Sequence, residues 1–212
     1  YVNFENRKKI GASTWSLTGS TIEKTGWTIE GGALSITQAS SLGDTTGVLT
    51  LNGGALQTAG SFDLTRNVVV GAANGTFDVQ SNTNILKGTV SGDGQLTKSG
   101  SGVLKVTGNF DQAGGTALNA GTLQIGNGGI DGSIKGNVAI ADGATLEFNH
   151  SNIEIYDGSL SGTGFLKVDS PGSVILNGDS SAFTGTAAIN GTTTVNGILG
   201  AEALTVSLTG KL

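Results

Sequence analysis

Few residues in this 212-residue chain are equipped for chemistry, and they gather in two places. The first is GDSS at 178–181, a Gly-Asp-Ser stretch of the kind that can present a nucleophilic serine. Such a serine needs a base and an orienting carboxylate within reach of its hydroxyl. Here the only histidine is His150, and Ser181 stands where a nucleophile motif of this type carries glycine. The segment reads as a turn.

The second place is EFNHSNIEIYD at 147–157, which alone combines His, carboxylates and Tyr. If Leu146, Phe148, Ile153 and Ile155 point inward along strands, Glu147 and Glu154 point outward. His150, Glu154 and Asp157 would then form a surface patch able to hold a cation or a partner. A solvated loop accounts for the same composition, and one histidine without cysteine is a poor metal-ligand set. Glycoside cleavage would need a close pair of carboxyl groups. The carboxylates here are scattered, and the only arginines are Arg7 and Arg66. No catalytic, metal-ligating or cofactor-binding residue is assigned, the ligand-binding residues stay unknown, and the expectation is a protein that is not an enzyme.

The elements that carry these residues follow from composition and repetition. Glycine supplies 37 of 212 residues while proline occurs once, so neither a Pro/Gly linker nor collagen fits. Charged residues make up 13%, so Thr, Ser, Asn, Gln and Gly must build most of the surface. The net charge of −5 is spread along the chain, and its only basic cluster is Arg7, Lys8, Lys9. That is too small a footprint for nucleic acid. Cysteine is absent, which excludes disulfides and is compatible with an oxidising exterior. The opening YVNFENRKKI has no apolar signal region, so the expectation is a mature segment whose signal peptide has been removed. No apolar run is long enough for a membrane-spanning helix.

The chain resembles itself. Ser91–Gly108 aligns with Ser161–Gly178 at an offset of 70, with Ser91/Ser161, Gly92/Gly162, Gly94/Gly164, Leu96/Leu166, Gly102/Gly172 and Gly108/Gly178 identical. The same offset carries GTALNAGTLQI at 115–125 onto GTAAINGTTTV at 185–195. An offset of 89 matches Thr18/Thr107, Gly19/Gly108, Gly32/Gly121, Leu34/Leu123 and Ile36/Ile125. The recurring element is Gly-x-Φ-x-Φ, as in GALSI at 32–36, GVLKV at 102–106, GTLQI at 121–125 and GSVIL at 172–176. Apolar residues two apart face one side of a strand, and Thr, Ser, Lys or Gln face the other. Asn-Gly and Asp-Gly dipeptides punctuate the strands as turns, and no amphipathic helix is evident.

Long-range repetition separates a solenoid from a sandwich, because a solenoid coil buries its apolar face only against its neighbours. If 70 and 89 residues are whole numbers of coils, each coil takes roughly 22–23 residues. The fold class predicted is all-β, a right-handed parallel β-helix of about nine coils stacked at ~4.8 Å. Residues 1–30 are expected to form an N-terminal cap and first coil. Residues 31–212 form the body, with repeat units near 91–126 and 161–196. Trp15 aligns with Leu104, a core position, so Trp15 with Tyr1 and Phe4 is expected to cover the rod's end, where an edge would otherwise lie open.

Over Gly94–Ile125 the run resembles the autotransporter-associated β-strand repeat of type V secreted passenger domains in Gram-negative bacteria. Leu96, Lys98, Gly100, Gly102, Leu104, Gly108, Gly121, Leu123 and Ile125 stand in family positions, and GNVAIADGATLEF at 136–148 has the same style. The second copy departs, with Val168 for the lysine, Pro171 in the loop and Thr193 for a core leucine. The resemblance implies a surface-exposed or secreted passenger, extracellular at the bacterial surface. Its parent chain would carry a C-terminal outer-membrane barrel, while the passenger itself is not membrane-embedded. It further implies a non-enzymatic adhesin that binds a host receptor or matrix component, or itself. The alternatives are a released effector acting on a host cell receptor and a polysaccharide-active β-helix enzyme. No cofactor and no nucleic acid partner are expected.

Overall fold

The computed structural model describes residues 7–207. Within them every ladder is parallel, and the strands stack in about ten coils as a β-solenoid. Its only helical element among the described residues is a 3-10 turn at Ala39–Leu42. Each coil visits three faces in turn. The first sheet runs from Arg7–Lys9 to Ser133–Ile134, the second from Thr14–Leu17 to Leu160–Gly162, and the third from Asp63–Leu64 to Ala203–Val206. Beyond Ser133–Ile134, a three-stranded sheet of Ile153–Tyr156, Ser173–Leu176 and Thr192–Val195 follows the third face in chain order, as the first sheet did.

The Gly-x-Φ-x-Φ segments are strands as expected, and their apolar residues form columns up the rod. Leu64, Leu86, Val106, Ile125, Phe148, Val168 and Ile189 pair successively on the third face, and each is buried. A parallel column of Leu104, Leu123, Leu146, Leu166 and Ala187 lies beside it. Burying one such leucine is worth roughly 1.5–3 kcal/mol, so these columns supply most of the drive to stack. The last pair, Leu204 and Val206, sits in register over Ala187 and Ile189 but is 44% and 38% exposed.

The coil is tighter than whole-turn division of the offsets implies. Leu96 pairs with Gly75 behind it and Thr116 ahead, and Val103 pairs with Thr122. Ladder partners therefore lie about 20 residues apart, and the offset of 70 takes three coils and one further face. Accordingly Leu96–Ser99 belongs to the second sheet, while its repeat partner Phe165–Val168 belongs to the third. The offset of 89 does the same, carrying Ala33–Ile36 on the second sheet to Thr122–Ile125 on the third. Repeat copies thus appear on successive faces, which any face accepts because each asks for the same inward-outward alternation.

Candidate functional site

The repeat's polar signature residue turns inward. Lys98 shares a strand with Leu96 and, two residues on, must face the same way. It occupies a core column between Phe77 and Leu118 and has no exposed surface. The outward placement expected of lysine holds at Lys105 and Lys167 in the Gly-x-Φ-x-Φ strands but not at Lys98. Lys98 is tolerated because its stem ends at a corner, where Nζ donates to the carbonyls of Ser99 (3.2 Å), Gly100 (2.7 Å), Gly102 (2.9 Å) and Ala120 (2.8 Å). Buried charge persists only where such partners satisfy it. Burial still lowers the ammonium pKa to about 8, with Asp78 pulling the other way. Gly121 completes the corner at φ 67, where a Cβ would overlap the carbonyls of Gly100 and Gly102. Lys98, Gly100, Gly102 and Gly121 are therefore one physical unit, which explains their spacing in the sequence.

A second copy of the unit lies at the start of the rod. Lys9 precedes Lys98 by the same 89-residue offset, is fully buried, and donates to the carbonyls of Ile10 (2.9 Å), Gly11 (2.8 Å) and Gly31 (2.9 Å). Extending that offset backward from Gly32/Gly121 would have found it. The basic cluster accordingly disperses: Lys8 pairs with Glu30 at 2.7 Å, and Arg7 lies over the Trp27 ring at 5.7 Å. Arg66 is buried too, donating to the carbonyls of Gly43, Gly47 and Asp44. Burial depresses its pKa while Asp44 opposes the change.

The patch proposed from EFNHSNIEIYD does not form on the surface. Ile153–Tyr156 is a strand whose register sets Glu154 on Val174 and Tyr156 on Leu176, both core residues. Glu154 and Tyr156 therefore point inward, and Ile153 and Ile155 point outward at 61% and 54% exposure. His150 is buried as well, which also removes the solvated-loop alternative. Neither His150 ring nitrogen has a well-formed hydrogen bond, and burial lowers its pKa while the nearby Asn152 side chain opposes it. Tyr156 donates to the Gly136 and Ser159 carbonyls, and burial raises its pKa. Only Asp157 stays at the corner, accepting from Asn177 at 2.6 Å, with Asn196 donating to Asn177 in turn.

The GDSS segment is a turn only in part: against expectation Asp179–Ser180 is a short strand, paired in parallel with Ile198–Leu199, and the turn begins at Ser181. The Ser181 N–H donates to the Asp179 carboxylate at 3.0 Å, which holds that carboxyl below its usual pKa. Ser180 is buried, and its hydroxyl accepts from the Leu160 N–H at 2.8 Å. Trp15 does occupy a core column, paired with Leu34, but it is 44% exposed, with the Lys9 ammonium 5.3 Å from its ring centroid. Tyr1 and Phe4 lie outside the described residues. A cavity of about 620 Å³ opens here between Trp15, Trp27, Arg7 and Ser41, at the end of the core columns.

On the outer faces the register builds polar rows. Lys105, Gln124, Glu147 and Lys167 follow one another on the third face, with Lys167 bonded to Glu147 at 3.2 Å and to Asp169 at 2.8 Å. Gln57 donates to Asp78 on the second face. Among the described residues no three His, Cys, Asp or Glu converge as a metal set. No helix there is long and apolar enough to cross a membrane.

Fold and surface together define a solenoid that presents long polar faces on a repeating frame. The passenger-associated-transport-repeat family matches residues 96–125, the segment that contains the Lys98 corner. An autotransporter adhesin of Brucella suis biovar 1 (strain 1330), BmaC, is 37% identical over 159 residues. That alignment covers 75% of this chain and 5% of the adhesin's length. No solved structure matches the chain. The chain is a repeat-bearing segment of an autotransporter passenger.

Proposed function

We propose that this chain is a non-enzymatic adhesin segment of an autotransporter passenger, extracellular at the bacterial surface or released from it. The observation that carries the reading is the relationship to the Brucella adhesin across three quarters of the chain. The rod's form supports it. Outward residues recur at coil spacing, so individually weak polar contacts can add along a face. Buried lysines serve corners rather than substrate, and the serine, histidine and tyrosine considered for chemistry are engaged in or packed within the core. Partners are a host surface component or a second copy of the chain. The parent chain's outer-membrane barrel, and closure of the N-terminal end by residues 1–30, belong to the same reading.

Beads coated with the purified chain test it against cultured host cells, beside sedimentation of the chain over a range of concentrations. Adherence above that of albumin-coated beads supports host binding. Concentration-dependent association without adherence supports self-association. A monomer that does neither refutes both.

A further inference from the structure

Two faces of the rod stack continuously where the other is interrupted. Ser133–Ile134 ends the first sheet, and the strand that follows on that side, Ile153–Tyr156, pairs forward with Ser173–Leu176 but not back. Main-chain bonds hold the coils together around the break, from Gly128 N–H to the Asn149 carbonyl, Ser151 N–H to Gly129 and Val138 N–H to Ser159. Between them lies a groove of about 400 Å³ walled by Ser133, Ile134, Lys135, Asn137, Glu154 and Ile155.

Glu154 is 8% exposed, and among the described residues its carboxyl has no hydrogen bond or ion pair. The repeat shows what this position holds elsewhere. The 70-residue offset places Glu154 on Asn84, whose side chain accepts from the Thr58 hydroxyl at 2.7 Å and donates to the carbonyls of Gly60 and Phe62. One copy is satisfied internally; the other presents a bare carboxyl to an open groove. The remaining charged groups at the groove are committed, Lys135 to Asp111 at 3.0 Å and Asp157 to Asn177. The strand packed on the far side presents Val174 to Glu154 and no charge. An unpaired buried carboxylate is costly, and a matching cation removes that cost. A metal ion would need further ligands of a kind that do not gather here, whereas Ile134 and Ile155 suit an aliphatic stem.

We propose that the groove receives a lysine or arginine side chain of a partner protein, its cationic head on the Glu154 carboxylate and its stem between Ile134 and Ile155. This rests on the adhesin reading for its biological setting, but not for its chemistry. The outward Ile155 supplies an apolar edge at the entry, as expected where a charged anchor is desolvated on docking. A bound cation would draw the Glu154 pKa down from about 7.

The test titrates N-acetyl-lysine methylamide and N-acetyl-arginine methylamide into chain carrying carboxyl-¹³C glutamate, with the norleucine analogue as neutral control. Glu154→Gln assigns the resonance. The Glu154 signal is expected to shift saturably with the cationic probes only, and its titration midpoint to fall. Glu154→Gln is expected to weaken host-cell binding about tenfold or more, the range for a lost charged hydrogen bond. Absence of a saturable shift overturns the groove, whether or not the chain binds cells. A saturable shift with equal cell binding by Glu154→Gln overturns its role in adhesion. A saturable shift in a chain that binds no cells supports the cation site and sinks the host-binding reading instead.

Discussion

Glu154→Gln removes the one carboxylate side chain that, among the described residues, folding buries without a protein partner, and its effect on stability is set by pH. Burial raises the folded-state pKa from 4.5 to about 7. Between those values the folded chain keeps a proton that the unfolded chain releases, so this group's contribution is greatest below pH 4.5 and is lost as pH rises through 7. At about 1.4 kcal/mol per pKa unit, the loss has a ceiling of about 3 kcal/mol. Glutamine has nearly the same shape and no such dependence. His150 acts oppositely, because its lowered pKa costs stability as pH falls below its usual 6.5. It is present in both proteins and cancels in the difference between them. Urea unfolding of the two proteins at pH 5 and pH 8 provides the assay. The variant's stability relative to wild type is expected to rise between the two pH values by up to about 3 kcal/mol. A difference that stays flat across this range would refute the reasoning, since it would mean that Glu154 is solvated or already paired.

Three further substitutions probe the corner and the core by urea midpoint. Lys98→Met keeps the stem but leaves the Gly100 and Ala120 carbonyls uncapped, and is expected to cost about 2–3 kcal/mol near neutral pH. Because burial holds the folded-state pKa at about 8, below the ordinary 10.5, the unfolded chain binds the extra proton above pH 8. Wild-type stability should therefore gain as pH rises above 8, and Lys98→Met should lose that gain. Thr193 is fully buried with its hydroxyl unpartnered, so Thr193→Val should stabilise by about 1 kcal/mol. Gly121→Ala forces a Cβ into the preceding coil at a left-handed φ, and should destabilise by about 2 kcal/mol or more.

The strands and the core were legible because glycine and alternating aliphatics leave one pairing face, and GALSI, GVLKV and GTLQI all bury the residues their pattern nominates. The phase was not legible. Sequence offsets count strands, whereas faces are assigned only when ladders form, and the motif fits each face equally well. The burial of Lys98 was not legible for a related reason. Its position in the alternation pointed inward, but its charge argued outward, and the carbonyl corner that reconciles them is assembled from two coils. At Ile153–Tyr156 apolarity misled outright, since the two isoleucines lie outside. The register with Val174 and Leu176, themselves recognisable core positions in GSVIL, fixes Glu154 and Tyr156 inside once the coil is known to be about 20 residues. At GDSS the bend at Ser181 was legible because its hydrogen bond to Asp179 is local, whereas the strand at Asp179–Ser180 was not, because its partner Ile198–Leu199 lies one coil further on.

Equilibrium binding of the fluorescently labelled chain to cultured host cells, competed by excess unlabelled chain, tests the adhesin assignment most directly. A specific adhesive surface gives a saturable isotherm that the unlabelled chain abolishes. Binding that stays linear with concentration and survives competition would contradict a specific host-binding surface on this segment.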